Sequence, residues 1–175
     1  MKNVWPKIAL LLLCCAALAF ELWHLRSSPR SAPQLTKQRA HKPDFALLPA
    51  SEIVTFNDTY GKFLFPGVHA RSWEPTLGDM EDVESELPQI TKLTHRNLAP
   101  SSHLDPTQYI RQYLAIEVRG KNLLFVNGLC SGKFGVSDGW RKRLIVVNDG
   151  GACHWQALYD RSTHTFDNFN VNGTA

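Results

Sequence analysis

Cys153 and His154 are adjacent, with Asp149 a short distance upstream. Together they hold the ingredients of a thiol nucleophile, a sulfur beside an imidazole or carboxylate that could take its proton. Strand geometry argues against the adjacent pair, because consecutive strand residues point to opposite faces. Another histidine could approach through the fold, but no motif identifies one. Cys130 offers the simpler use of the second thiol: in an oxidising compartment the expectation is a disulfide between Cys130 and Cys153. The seven histidines are scattered, and neither an H-E-x-x-H nor a zinc-finger spacing occurs, so no metal or other cofactor is expected.

Other residues could recognise a ligand. Tyr109, Arg111 and Tyr113 alternate, and Trp155 is placed to line a later strand in the same way. A guanidinium among aromatic rings can grip a planar or anionic ligand by stacking and paired hydrogen bonds. The plainer account is sheet packing, with Arg111 laid over the tyrosines. Lys133, Trp140 and Arg141 sit in a Gly-rich connection, residues 131–143, whose Trp and Arg suit a protein contact. Ser131-Gly132-Lys133 lacks the order of a phosphate loop. Asn57-Asp58-Thr59 and Asn172-Gly173-Thr174 match a glycosylation sequon, a pattern short enough to arise by chance.

The elements that would position these residues centre on a hairpin. Tyr109–Val118 and Leu123–Leu129 are β-rich runs around Arg119-Gly120-Lys121-Asn122, where Gly and Asn tolerate positive φ. Upstream, Ile53–Phe56 and Lys62–Phe65 read as two short strands separated by an Asn57-Asp58 turn. Thr76 caps a helix with Asp79 at the third position, and Leu77, Met80, Val83, Leu87 and Ile90 make its apolar stripe. Asp79, Glu81, Asp82, Glu84 and Glu86 load the opposite, solvated face, and Pro88 should end or kink the helix. Leu144–Val147 is continuously apolar and reads as a central strand covered on both faces. His154–Tyr159 and Thr165–Val171 supply the last two strands. The expected fold is α+β, one helix on a four- to five-stranded, mainly antiparallel sheet of cystatin-like or NTF2-like topology.

That order strains the disulfide. In a plain meander Cys130 ends one strand and Cys153 begins the strand after next, at the far end of the sheet, roughly 15 Å away for a five-residue strand. A disulfide needs Cα atoms within about 7 Å. Either the bond is absent, or residues 131–140 cross the sheet so that Leu144–Val147 runs parallel to Leu123–Leu129. The second option is the one carried forward.

The N-terminus is a different kind of segment. Lys2 and Lys7 precede an apolar run from Ile8 to Phe20, suited to a secretory signal with Ala17-Leu18-Ala19 as cleavage site, or to a membrane anchor through residues 8–25 if uncleaved. Residues 1–25 are therefore expected as signal or anchor, 26–50 as a flexible basic linker, and 51–175 as a single domain. The charge follows that division. Residues 1–50 carry seven Lys/Arg and two Asp/Glu, whereas 51–175 carry twelve and fourteen, within a total of +3. The folded part thus lacks the basic field that nucleic-acid binding requires.

The C-terminal Asp149-Gly150-Gly151-Ala152-Cys153, with Tyr159-Asp160, Phe166 and Asn172-Gly173-Thr174-Ala175, resembles the ending of a family of small exported bacterial proteins. Arg111-Gln112-Tyr113 and Asn127-Gly128-Leu129-Cys130 match the earlier segments of that family. The resemblance implies export and shared architecture, and carries over no catalytic residue. The function expected from all this is a non-catalytic binding domain outside the cytoplasm, periplasmic or tethered, for a protein partner or small molecule of the cell envelope. The alternative is a small envelope enzyme with a pocket between helix and sheet.

Overall fold

A computed structural model describes residues 45–95, 97, 104–130 and 138–173. The expected leader, residues 1–25, the linker as far as residue 44, and Lys133 lie outside those residues. The elements are β1 (Phe45–Leu47), a helical segment α1 (residues 50–64), β2 (Arg71–Ser72), α2 (Leu77–Glu86), β3 (Tyr109–Val118), β4 (Lys121–Cys130), β5 (His154–Asp160) and β6 (Thr165–Val171). They form an α+β fold in which two helices cover opposite faces of one six-stranded mixed sheet, ordered β1-β3-β4-β5-β6 with β2 also on the outer edge of β3. The expected single helix and four- to five-stranded sheet are corrected accordingly. β1 pairs in parallel with β3, and its residues fall inside the stretch expected as linker.

The central hairpin is as expected but tighter. Arg119 and Gly120, at φ 52° and 76°, make the whole turn, so Lys121 and Asn122 already belong to β4. Two left-handed residues match the twist of the flanking strands.

α1 replaces the two short strands expected at Ile53–Phe56 and Lys62–Phe65. Ile53, Phe56, Tyr60 and Leu64 recur at helical spacing and pack on Leu114, Ile116, Phe125 and Leu158. Asn57 makes no turn. Its side chain donates to Ala70 O at 3.0 Å and accepts from Ala70 N at 2.9 Å, tying the chain beyond the helix back onto it. The segment passes through a π-helical turn at Asn57–Gly61, a distortion common at functional sites.

α2 forms as its sequence dictates. Thr76 Oγ1 accepts from Asp79 N–H and the Asp79 carboxylate accepts from Thr76 N–H, a complete capping box. Met80 and Val83, with Leu87 and Ile90 in the following 3-10 turns, bury against Ala115, Leu124, Val126 and Trp155. Leu77, expected on that stripe, is 76% exposed. Pro88 ends the α-helix as expected, and Leu87–Lys92 continues as 3-10.

Leu144–Val147 is the main correction. It is not a strand, and only Leu144 is buried. β5 therefore pairs directly with β4, and His154 faces Leu129 in register. Cys130 and Cys153 meet at one end of this pair, in disulfide geometry with Cα atoms 4.8 Å apart. The disulfide is compatible with an antiparallel sheet because the intervening segment leaves the sheet altogether. No parallel crossover is needed.

Candidate functional site

The two faces of the sheet differ in how they are closed. On the α2 face, Tyr109, Arg111, Tyr113 and Trp155 come together, as their alternation requires. Gly128 leaves room for the Trp155 indole, since a Cβ there would sit 2.0 Å from its ring. Tyr109 meets Trp155 edge-on at 5.8 Å and donates its hydroxyl to Ala152 O at 2.7 Å. Arg111 is engaged from within the protein. Its Nε and Nη2 donate to the two Glu84 carboxylate oxygens at 3.1 and 2.9 Å, and Nη1 donates to Pro106 O and Tyr109 O. The Tyr113 hydroxyl donates to the same carboxylate. Burial first, and then the Glu84 charge, push the Tyr113 phenol well above its ordinary pKa.

Glu84 is thus no member of a solvated acidic face. It is the counter-ion that α2 lowers onto a buried guanidinium. Asp79 is likewise buried and receives Arg161. Burial alone would raise its pKa, but hydrogen bonds from Thr76 and the Arg161 charge outweigh burial and hold it below the usual carboxylate range.

On the other face lie Ile110, Gln112, Leu114 and Ile116, and here the apolar pattern is interrupted by amides. Gln112, Asn127, Gln156 and Asn170 stand opposite one another across β3, β4, β5 and β6. Gln112 Nε2 donates to Trp140 O at 2.5 Å and Arg143 O at 2.6 Å, while its Oε1 accepts from Ile145 N at 2.9 Å. Asn127 Nδ2 donates to Gln112 Oε1 and to Ile145 O, both at 2.9 Å. Beyond the strand end, Asn172 Nδ2 donates to Val147 O at 2.6 Å. Glu52 of α1 accepts from Leu144 N at 2.9 Å. Side-chain amides therefore satisfy the backbone of 140–147 in place of a neighbouring strand, which is why a continuously apolar run can lie on a sheet without joining it.

Trp140 and Arg141 belong to this strapped segment, which Gln112 holds on the face of β3 opposite to Arg111. Trp140 is buried and Arg141 stacks over it at 4.1 Å, donating to Phe45 O at 3.0 Å. His154 points to this face and Trp155 to the other, as strand alternation dictates. His154 is buried against Gly150, and burial pushes its imidazole pKa below the usual value.

The strap and α1 do not meet along their whole length. Between the end of α1, residues 146–148 and the outer strands β5 and β6 lies a groove of about 650 Å³. Tyr60, Phe63, Leu64, Phe125, Val146 and Leu158 form its apolar walls, and Asn148, Gln156, Asn168, Asn170 and Asn172 supply amides. Phe63 is 75% exposed at the rim and Val146 is 40% exposed. Sequence reading missed this site, because its parts come from five separate stretches: 59–64, 125, 146–148, 156–158 and 168–172. The available signals were the helical spacing of Ile53, Phe56, Tyr60 and Leu64, and the amides recurring at Gln156, Asn170 and Asn172.

A second cleft, of about 500 Å³, lies at the hairpin end between Lys121, Arg161, His164 and Asp82. Its cations are partnered internally, Lys121 with Asp160 at 3.4 Å and Arg161 with Asp79, so it offers an anion little uncompensated charge. Among the described residues no cluster of His, Cys, Asp or Glu is arranged to hold a metal ion, and no helix is long and apolar enough to cross a membrane. Comparisons with protein-family models, curated proteins and solved structures return no match.

Proposed function

We propose that the protein is a non-catalytic binding domain, exported or membrane-tethered, whose ligand site is the groove beside α1. The observation that carries this reading is the groove's composition: exposed apolar walls facing amides, the mixture found in small-molecule sites of this size. The described residues that line it include no carboxylate, imidazole or thiol, so the site favours holding a ligand over transforming it. The Arg111 cluster supports a structural role instead, since Glu84 and two carbonyls meet the guanidinium from inside. Export rests on the N-terminal apolar run, with the Cys130–Cys153 pair as a weaker support. Cystatin-like or NTF2-like topology is part of the same proposal, and it would fix no ligand.

The test is a fluorescence titration of the protein, as recovered from the expressing cells, with the neutral apolar probe N-phenylnaphthylamine. Saturable enhancement is expected, reduced in Phe63→Ala and Val146→Ser and retained in Leu77→Ser. These three side chains are exposed, so their stability effects should stay within about 0.5 kcal/mol. No enhancement, or loss confined to Leu77→Ser, would remove the groove as the site.

A further inference from the structure

We propose that the occupant of the groove is a neutral oligosaccharide bearing acetamido groups. This rests on the reading of the groove as a binding site and names the chemistry it selects.

The first observation is charge. Lys62 is the one charged residue lining the groove among those described, and its ammonium sits 5.0 Å over the Phe63 ring. No carboxylate lines the groove to repay the desolvation of a cationic ligand, and a single ammonium already set over a ring is the one group that could meet an anion. The second is the state of the amides. Gln156 donates to Asn172 Oδ1 at 3.2 Å and Asn172 donates to Val147 O, so these two are committed to the fold. Asn170 donates to Gln156 Oε1 at 3.1 Å, which orients it and leaves its Oδ1 available. Asn148 and Asn168 are exposed at the same groove. Oriented neutral amides both donate and accept. Sugar hydroxyls and acetamido groups present that same pairing without net charge.

The third observation is the apolar side. The Phe63 ring stands open at the rim, with Leu64 and Val146 beside it. A pyranose ring has an apolar C–H face that can lie on such a ring, and an acetamido methyl suits the aliphatic wall. A groove of about 650 Å³ is larger than one sugar unit needs, which points to an oligomer.

The geometry of β6 weighs against a peptide added to the sheet edge. Asn168, at φ 50°, and the register shift between Gln156 and Leu158 bend β6 out of line, and Asn97 Nδ2 already caps Val171 O at 2.7 Å.

The experiment is calorimetric titration of the recovered protein with N-acetylated chitotriose, maltotriose and a uronic-acid trimer. Saturable binding of chitotriose is expected, roughly ten-fold weaker in Asn170→Ala and in Phe63→Ala at unchanged melting temperature. Equal binding of maltotriose would overturn the acetamido requirement, and tighter binding of the uronic acid would overturn the neutral class. Absence of chitotriose binding while N-phenylnaphthylamine still binds would sink the saccharide and leave the groove as a site. Failure of both ligands would sink both readings.

Discussion

The two faces of the sheet solve the same burial problem in different ways. Under α2 the solution is an apolar layer with two ion pairs, Arg111–Glu84 and Arg161–Asp79, at its margin. Under α1 the helix covers only part of the sheet, and a strandless segment is strapped over the rest by a row of amides. The first arrangement buries its apolar layer, and the cleft beside Asp82 at its hairpin end is bounded by internally paired charges. The second leaves backbone, amides and aromatic rings facing one another across a gap, and that gap is the groove. Buried polar groups on one face settle a counter-ion; on the other they shape a surface.

The comparison breaks most sharply at Glu84. Glu84→Ala would strand a guanidinium of which only 8% of the side chain is exposed. Removing one partner of a buried pair costs about 4 kcal/mol, so a large fall in melting temperature is expected, while exposed Glu81→Ala should change little. Equal melting curves for the two variants would show that the ion pair does not hold α2 down.

On the opposite face, Gln112→Leu keeps the volume but removes bonds to Trp140 O, Arg143 O, Ile145 N and Asn127. Unsatisfied buried groups of this kind cost about 3 kcal/mol in sum. The loss should be local as well: amide hydrogen exchange should quicken over residues 140–147 before it does in β3 or β4. Uniform quickening would mean that the strap and the sheet open as one unit.

A smaller effect separates the faces by pH. Burial holds the folded-state pKa of His154 below the ordinary 6.5, so below that pH the unfolded chain binds the extra proton more readily. Stability contributed by neutral His154 is complete above pH 6.5 and declines as pH falls through the folded-state value. Melting curves of the protein and of His154→Gln should converge toward acid, and a gap that widens instead would reverse the sign.

The legible parts of this fold are those marked by a local pattern. β3, β4 and β5 are β-rich runs buried on both faces, and α2 repeats at helical spacing behind a capping box. Ile53–Phe56 is rich in β-branched residues, and Asn57-Asp58 with Gly61 imitates turns, so the local pattern of α1 imitates two strands. The period linking Ile53, Phe56, Tyr60 and Leu64 runs straight through both imitations. Leu144–Val147 misleads for another reason: its backbone partners are amides of Gln112, Asn127 and Asn172, and no local pattern encodes partners so far along the chain. β1 and β2 are too short to carry a period. Glu84 shares a helix with exposed carboxylates, and only its register against Arg111 distinguishes it.

The central claim is that ligand recognition belongs to the α1 face and that the α2 face serves stability. Backbone amide shifts of the isotope-labelled protein, recorded with and without N-phenylnaphthylamine, test it most directly. The account predicts changes clustered at residues 59–64, 146–148 and 168–172, with residues 77–92 unmoved. Changes centred on α2 and its 3-10 extension would contradict it.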